Sequence, residues 1–157
     1  MHKIAISLLL FIWTVSAWAA DQTEPNITIT DSWIREAPPG AKALAGYMLL
    51  HNHGDADVSL VSASCPDFDA VMLHETVERD KMATMVHLDR VRIPAQNQVT
   101  FAPGGKHLML MQPKRAIVAG EESTVTLLFA SGAKVIAKFK VKKPFSDNPK
   151  AHGKKHH

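Results

Sequence analysis

The sequence predicts an all-β domain, a Greek-key β-sandwich or barrel, and three observations support this prediction. Short segments rich in β-branched and apolar residues follow one another between residues 27 and 141. Clusters of Gly, Pro, Asn and Asp separate them, such as APPGAK, NHGDAD and APGGK. No stretch has convincing helical periodicity, and strands at this spacing are typical of a sandwich or barrel. The expected strands are ITITDSWIREA, AGYMLLHN, VSLVSAS, AVMLHETV, MVHLDRVRI, QVTF, HLMLM, STVTLLFA and AKVIAKFKV.

The last two segments form the clearest predicted hairpin. Val125, Leu127 and Phe129 alternate with polar residues before the turn at Ser131-Gly132. Apolar residues alternate again in the second arm, at Val135, Ala137, Phe139 and Val141. The lysines that we expect to point into water are Lys134, Lys138, Lys140 and Lys142.

The chain has the length of one domain, preceded by a signal peptide. An apolar run from Ile4 to Val15 leads to Ala17-Trp18-Ala19, which fits the signal-peptidase rule, so we expect residues 1–19 to be removed. The mature protein would comprise a β domain at 20–143 and a flexible, His- and Lys-rich tail at 144–157. We expect export without membrane insertion, and a monomer. A net charge of +3 is too small to indicate nucleic-acid binding.

Residues 70–91, AVMLHETVERDKMATMVHLDRV, predict a second hairpin in which histidine faces methionine. With a turn centred on Arg79-Asp80, His74 would lie opposite Met85 and Met72 opposite His87. The same register would place Val71 opposite Leu88, and Leu73 opposite Val86, on an apolar face. Directly opposed side chains have Cβ atoms about 4.5–5.5 Å apart, close enough for an imidazole and a thioether to share an ion.

A third segment, GGKHLMLM at residues 104–111, presents the same two donor types on one strand. His107 and Met109 are two residues apart and therefore project from one face, while Leu108 and Leu110 point to the core. The preceding Pro103-Gly104-Gly105 suits a type II turn. If the strands bring the two His/Met pairs together, they form a His2Met2 site. Thioethers favour Cu(I) over Zn, Ca or Mg ions, and this site avoids the oxidisable thiols that an exported protein would risk.

At these residues the sequence resembles the periplasmic copper chaperone family PCuAC, whose pattern is H-x10-M-x21-H-x-M. The resemblance covers about residues 27–141 and includes MLHETV, RIPA and APGGKHLML. It implies a cupredoxin-like fold that binds Cu(I) through His74, Met85, His107 and Met109. It also implies copper delivery in the periplasm, toward the dinuclear copper centre of cytochrome c oxidase. The expected partners are oxidase subunit II or another periplasmic copper chaperone. Three nearby residues outside the motif are expected to be structural or to support the ligands: Met72, His87 and Met111.

Two further groups of histidines lie outside the motif. The tail ends in AHGKKHH, and its imidazoles could bind a second copper as Cu(II), the harder oxidation state. The tail residues concerned are His152, His156 and His157. His51 and His53, in LLHNHGD, are expected to be ordinary residues of a turn.

Other functions are less well supported by the residues. A blue-copper electron-transfer protein needs a Cys ligand with His and Met close behind it, and the only cysteine, Cys65, has no such neighbours. We expect Cys65 to be a small buried residue. No nucleophile–base pair or carboxylate pair indicates an enzyme. A non-metal binding or adhesion domain, and copper buffering or tolerance, remain as alternatives.

Overall fold

The computed structural model describes residues 26–144, and within them the chain is built of β-strands and connecting turns. The segment contains no helix with the length and apolar character needed to cross a membrane. The segment expected to be a signal peptide, residues 1–19, and the tail histidines lie outside the described residues. The strands are β1 (Ile27–Arg35), β2 (Ala43–Asn52), β3 (Val58–Ser64), β4 (Phe68–Arg79), β5 (Met82–His87), β6 (Val91–Ile93), β7 (Asn97–Phe101), β8 (Lys106–Pro113), β9 (Glu122–Phe129) and β10 (Lys134–Lys142).

The strands close into a barrel, which confirms the predicted all-β class. Seven of them follow one another in the order β4, β8, β2, β1, β10, β9 and β3, and the pairing of Ala63 with Val71 joins β3 back to β4. The contact between β1 and β10 is parallel, and the other pairings are antiparallel. The three remaining strands extend the barrel wall: β5 pairs with β4, β6 with β3 and β7 with β2.

The barrel interior follows the alternation in the sequence. Val125, Leu127 and Phe129 of β9 and Phe139 of β10 are buried, and Val125 pairs with Ala137 as a hairpin turning at Ser131-Gly132 requires. The lysines of β10 are exposed. Cys65 is also buried, as expected, and burial raises the pKa of its thiol.

One predicted strand proved to be two. The first part of the segment MVHLDRVRI pairs with β4 as far as Leu88, whose N–H donates to the carbonyl of Leu73. The chain then crosses to the other end of the strand order, where Val91 pairs with Leu60 of β3. The polar residues Asp89 and Arg90 lie at this crossing and are exposed. A continuous run of β-forming residues therefore did not reveal that its two ends pair with different strands.

The predicted register of the β4–β5 hairpin was wrong by two residues. The turn centres on Asp80 and Lys81, both with positive φ (51° and 64°), as in a two-residue type I′ turn. His74 consequently lies opposite His87, and Met85 lies opposite Thr76. A shift by two residues keeps every side chain on its predicted face, because strand faces alternate with period two. The neighbours on each face change, however, and that alters the site.

Candidate metal centre

Three histidines lie in a row across three neighbouring strands. His74 occupies the central strand β4, with His87 opposite it on β5 and His107 opposite it on β8. The ring centroids of His74 and His87 are 5.5 Å apart, and those of His74 and His107 are 5.9 Å apart. Both pairs are edge-to-face, with interplanar angles of 84° and 73°. The row arises because β4 is the strand that both β5 and β8 flank.

His107 is held in one tautomer by its own turn. Its side chain is buried, and its Nδ1–H donates to the carbonyl of Gly105 at 3.0 Å. This bond leaves Nε2 with its lone pair, which is the arrangement found in metal-binding histidines. The turn has the predicted form: Gly104 has a φ of 81°, and the N–H of Gly105 donates to the carbonyl of Ala102.

His74 has a buried nitrogen that nothing in the described residues satisfies. Its Nδ1 is the buried side-chain atom without a hydrogen-bond partner among residues 26–144. Burial, and then the proximity of His107 and His87, lower the pKa of His74 below that of an ordinary histidine. The ring is therefore neutral at neutral pH and keeps a lone pair available. A buried nitrogen without a partner costs free energy, and a metal ion bound there would remove that cost.

Thioether sulfurs flank the histidine row on both sides. Met109 follows His107 by two residues on β8 and lies opposite Met72 of β4. Met85 precedes His87 by two residues on β5, where it is 60% exposed. Met72 and His87 were expected near the site. In the structure Met72 lies directly opposite Met109, and His87 lies directly opposite His74. The His74–His87 pairing could have been found from the sequence only with the turn at Asp80-Lys81.

His74, His107 and Met109 form a cluster on two neighbouring strands, and Met85 lies on the other side of His74. His107 lies directly opposite His74, and Met109 lies diagonal to His74, where residues are about 7–8 Å apart. Met85 occupies the opposite diagonal, beyond Thr76. Met85 and Met109 therefore approach His74 from opposite directions. Only His74 is a near neighbour of all the other three.

Two contacts next to the histidines hold β4 and β8 in register. Glu75 pairs with Lys106, and the Lys106 ammonium lies 2.6 Å from the Glu75 carboxylate. The N–H of Thr76 also donates to the carbonyl of Gly105. Both contacts adjoin the His74–His107 pair and help to fix these two rings relative to one another.

Other candidate positions do not join this centre. Cys65 belongs to the buried core with Phe68 and Leu73, whereas His74 projects from the face of β4 opposite to Leu73, so the thiol does not join the histidine row. His51 belongs to β2, not to a turn as expected, and its ring stacks on that of His53 at 5.9 Å. An apolar cleft of about 760 Å³ lies between residues 36–44 and 112–118, toward the other end of β8. A bare metal ion does not require such a cavity.

Solved structures with the same fold include domains named PCuAC. The chain matches the copper-bound PCuAC domain from PmoF2 with a TM-score of 0.65 at 27% identity, covering 76% of this chain and 94% of that one. It matches the Cu(I) form of DR1885 from Deinococcus radiodurans with a TM-score of 0.61 at 30% identity, covering 82% and 85%. The fold therefore defines a cupredoxin-like β domain of the PCuAC class.

Within that class, the chain belongs to the family described as putative lipoprotein LpqE-like, whose model matches residues 27–141. The putative lipoprotein Lxx21020 of Leifsonia xyli subsp. xyli (strain CTCB07) is 32% identical over 119 residues, which are 75% of this chain and 70% of that protein. The uncharacterized protein RP573 of Rickettsia prowazekii (strain Madrid E) is 31% identical over 106 residues, 67% and 57% of the two chains.

Proposed function

We propose that this protein is a periplasmic copper metallochaperone that binds Cu(I) through His74, Met85, His107 and Met109. The observation that carries the proposal is the His74–His107 pair. Within the described residues, the His74 ring has a buried nitrogen without a hydrogen-bond partner, and the His107 ring donates from Nδ1 and so keeps its lone pair on Nε2. Neutral imidazole and thioether donors suit a soft monovalent ion. The likeness to a copper-bound PCuAC domain and to a Cu(I) form supports the same cargo.

Met85 would complete the donor set from the edge of the sheet. Among residues 26–144, strand β5 pairs only with β4, and Met85 is largely exposed. Methionine is unbranched and has three rotatable side-chain bonds, which suits a ligand that must approach and withdraw. An exposed thioether would let a recipient protein reach the ion. The arrangement is therefore suited to transfer more than to permanent storage.

The expected recipient is the dinuclear copper centre of cytochrome c oxidase, reached directly or through another periplasmic copper chaperone. Export is supported by the lipoprotein names of the family and of the Leifsonia relative. Deletion of the gene should lower oxidase activity in copper-limited cells, and copper supplements should restore it. Normal oxidase activity together with increased copper sensitivity would support the alternative, buffering or tolerance.

The tail histidines are proposed to bind a second copper as Cu(II). A chain that ends at Asp147 should keep its Cu(I) affinity and lose a Cu(II) signal in electron paramagnetic resonance. The residues removed include His152, His156 and His157. An unchanged Cu(II) spectrum would contradict a role for the tail.

The central test is competition for Cu(I) between the purified protein and a chromophoric Cu(I) chelator. We expect one ion per chain, and a loss of affinity of at least about tenfold for Met85→Leu and for Met109→Leu, since even residues that only support metal ligands contribute that much. Met82→Leu is the matched control, because Met82 is an exposed methionine on the same strand outside the donor set. Unchanged affinity in the Met85→Leu/Met109→Leu double variant would overturn the proposal. X-ray absorption would report the nitrogen and sulfur ligands directly.

A further inference from the structure

We infer that His87 forms an outer copper position with His74 and Met85, through which the ion enters and leaves the site formed by His74, Met85, His107 and Met109. This inference rests on the proposed function, because it concerns the path of the same ion. It assigns a role to a histidine that the four-residue motif does not include.

The distances between the rings allow two positions but not one shared by all three histidines. An imidazole nitrogen binds a metal at about 2 Å, so two rings that share an ion have centroids at most about 6 Å apart. The His74–His107 and His74–His87 pairs, at 5.9 and 5.5 Å, both meet this limit. His87 and His107 lie on either side of β4, two strand spacings or about 9–10 Å apart. Consistent with this, no three or more His, Cys, Asp or Glu side chains in residues 26–144 are grouped to hold a metal.

The register places a methionine on the same face beside each of the two histidines that flank His74. On β8, Met109 lies two residues from His107 and on the same face. On β5, Met85 lies two residues from His87 and on the same face. His74 is central to both groups. An ion that keeps His74 and Met85 could therefore exchange His87 for His107 and Met109 without ever losing all of its ligands.

The two positions differ most in their access to solvent. The His107 residue is 5% exposed, whereas the His87 side chain is 57% exposed and Met85 is 60% exposed. A recipient that must place its own ligands on the ion can approach the exposed His87 more easily than the buried His107. The Asp89 carboxylate lies 3.7 Å from His87 and is itself 95% exposed, so the outer position also carries a negative charge that attracts a cation.

The test separates the rate of copper transfer from the affinity. Protein loaded with Cu(I) is mixed in a stopped-flow instrument with excess chromophoric chelator, and equilibrium affinity is measured by competition. For His87→Ala we expect affinity within about threefold of the wild type and release slowed at least about tenfold. Because the affinity is the ratio of the two rates, loading from a Cu(I)–chelator complex should slow by the same factor. His87→Met, which replaces an imidazole with a thioether that also binds Cu(I), should retain fast release.

His53→Ala is the matched control, since His53 is an exposed histidine whose ring contacts Thr28 and His51. It should leave both rates unchanged. Release by His87→Ala at the wild-type rate would overturn the inference. So would a loss of equilibrium affinity as large as that of His74→Ala, because His87 would then be a ligand of the resting site. If the wild-type protein bound no Cu(I), the proposed function itself would fail, and the outer position with it.

Discussion

The alternation along β8 predicts that stability and metal affinity can be changed separately at adjacent residues. Leu108 has no exposed surface and belongs to the core, whereas Met109 projects from the opposite face beside the histidine row. Removing most of a buried leucine side chain costs about 2–5 kcal/mol. Replacing methionine by leucine nearly conserves volume and costs less than about 1.5 kcal/mol. Leu108→Ala should therefore lose stability and keep its metal affinity, whereas Met109→Leu should keep its stability and lose metal affinity.

For Leu108→Ala we expect about 3 kcal/mol of lost unfolding free energy, and a midpoint of thermal unfolding lower by roughly 10 °C. Urea unfolding of the metal-free protein measures the loss, with an unchanged slope showing that the folded and unfolded states remain comparable. Cu(I) affinity, measured at a temperature where the variant is folded, should stay within about threefold of the wild type. Met109→Leu should keep its unfolding midpoint and lose at least about tenfold in affinity.

The opposite pattern would refute the reasoning. If folded Leu108→Ala lost affinity as strongly as Met109→Leu, the two faces of β8 would not be independent, and Met109 could not be distinguished from a core residue. A wild-type protein whose unfolding midpoint did not rise on addition of Cu(I) would be equally damaging, because a ligand bound only by the native state must stabilise it.

Two further predictions concern stability away from the histidine row. The guanidinium of Arg115 donates two hydrogen bonds to Asp67 and holds the pKa of its carboxyl below the usual value, so this stabilisation is present above pH 4 and is lost as pH falls further. Asp67→Asn should lower the unfolding free energy by about 1–2 kcal/mol at neutral pH, discounted for partial exposure, and the difference from wild type should shrink below about pH 4 in urea titrations. Gly46→Val should lower the unfolding free energy by about 1–3 kcal/mol, because even a Cβ would lie 3.0 Å from Leu110 Cδ1 and 3.4 Å from Leu108 Cβ. Wild-type stability of this variant in urea unfolding would show that these leucines can move to make room.

Local chemistry in the sequence was sufficient to predict the strands and several turns. Alternating apolar residues predicted the hairpin of β9 and β10, and the Pro-Gly-Gly sequence predicted the turn that precedes His107. These features depend on side chains a few residues apart, so the sequence contains the whole cause. The faces of β4, β5 and β8 were predicted for the same reason, because a face depends only on odd and even positions.

The hairpin between β4 and β5 shows where local information ended. Its turn at Asp80-Lys81 lacks the glycine that usually marks a type I′ turn, so the register was displaced by two residues. The apolar pattern could not correct the error, since a shift of two leaves the same residues on the same face. As a result, the predicted His74–Met85 contact was replaced by the contact between His74 and His87.

The sequence by itself determined which residues face inward, where the chain turns and which donor atoms are available on the other face. The tertiary structure decided that β8 lies against β4, so that His107 meets His74, and that β5 lies on the opposite side with His87. Strands that are about thirty residues apart in sequence pair only when the barrel closes, and closure depends on the packing of all its strands together. No short segment contains that information.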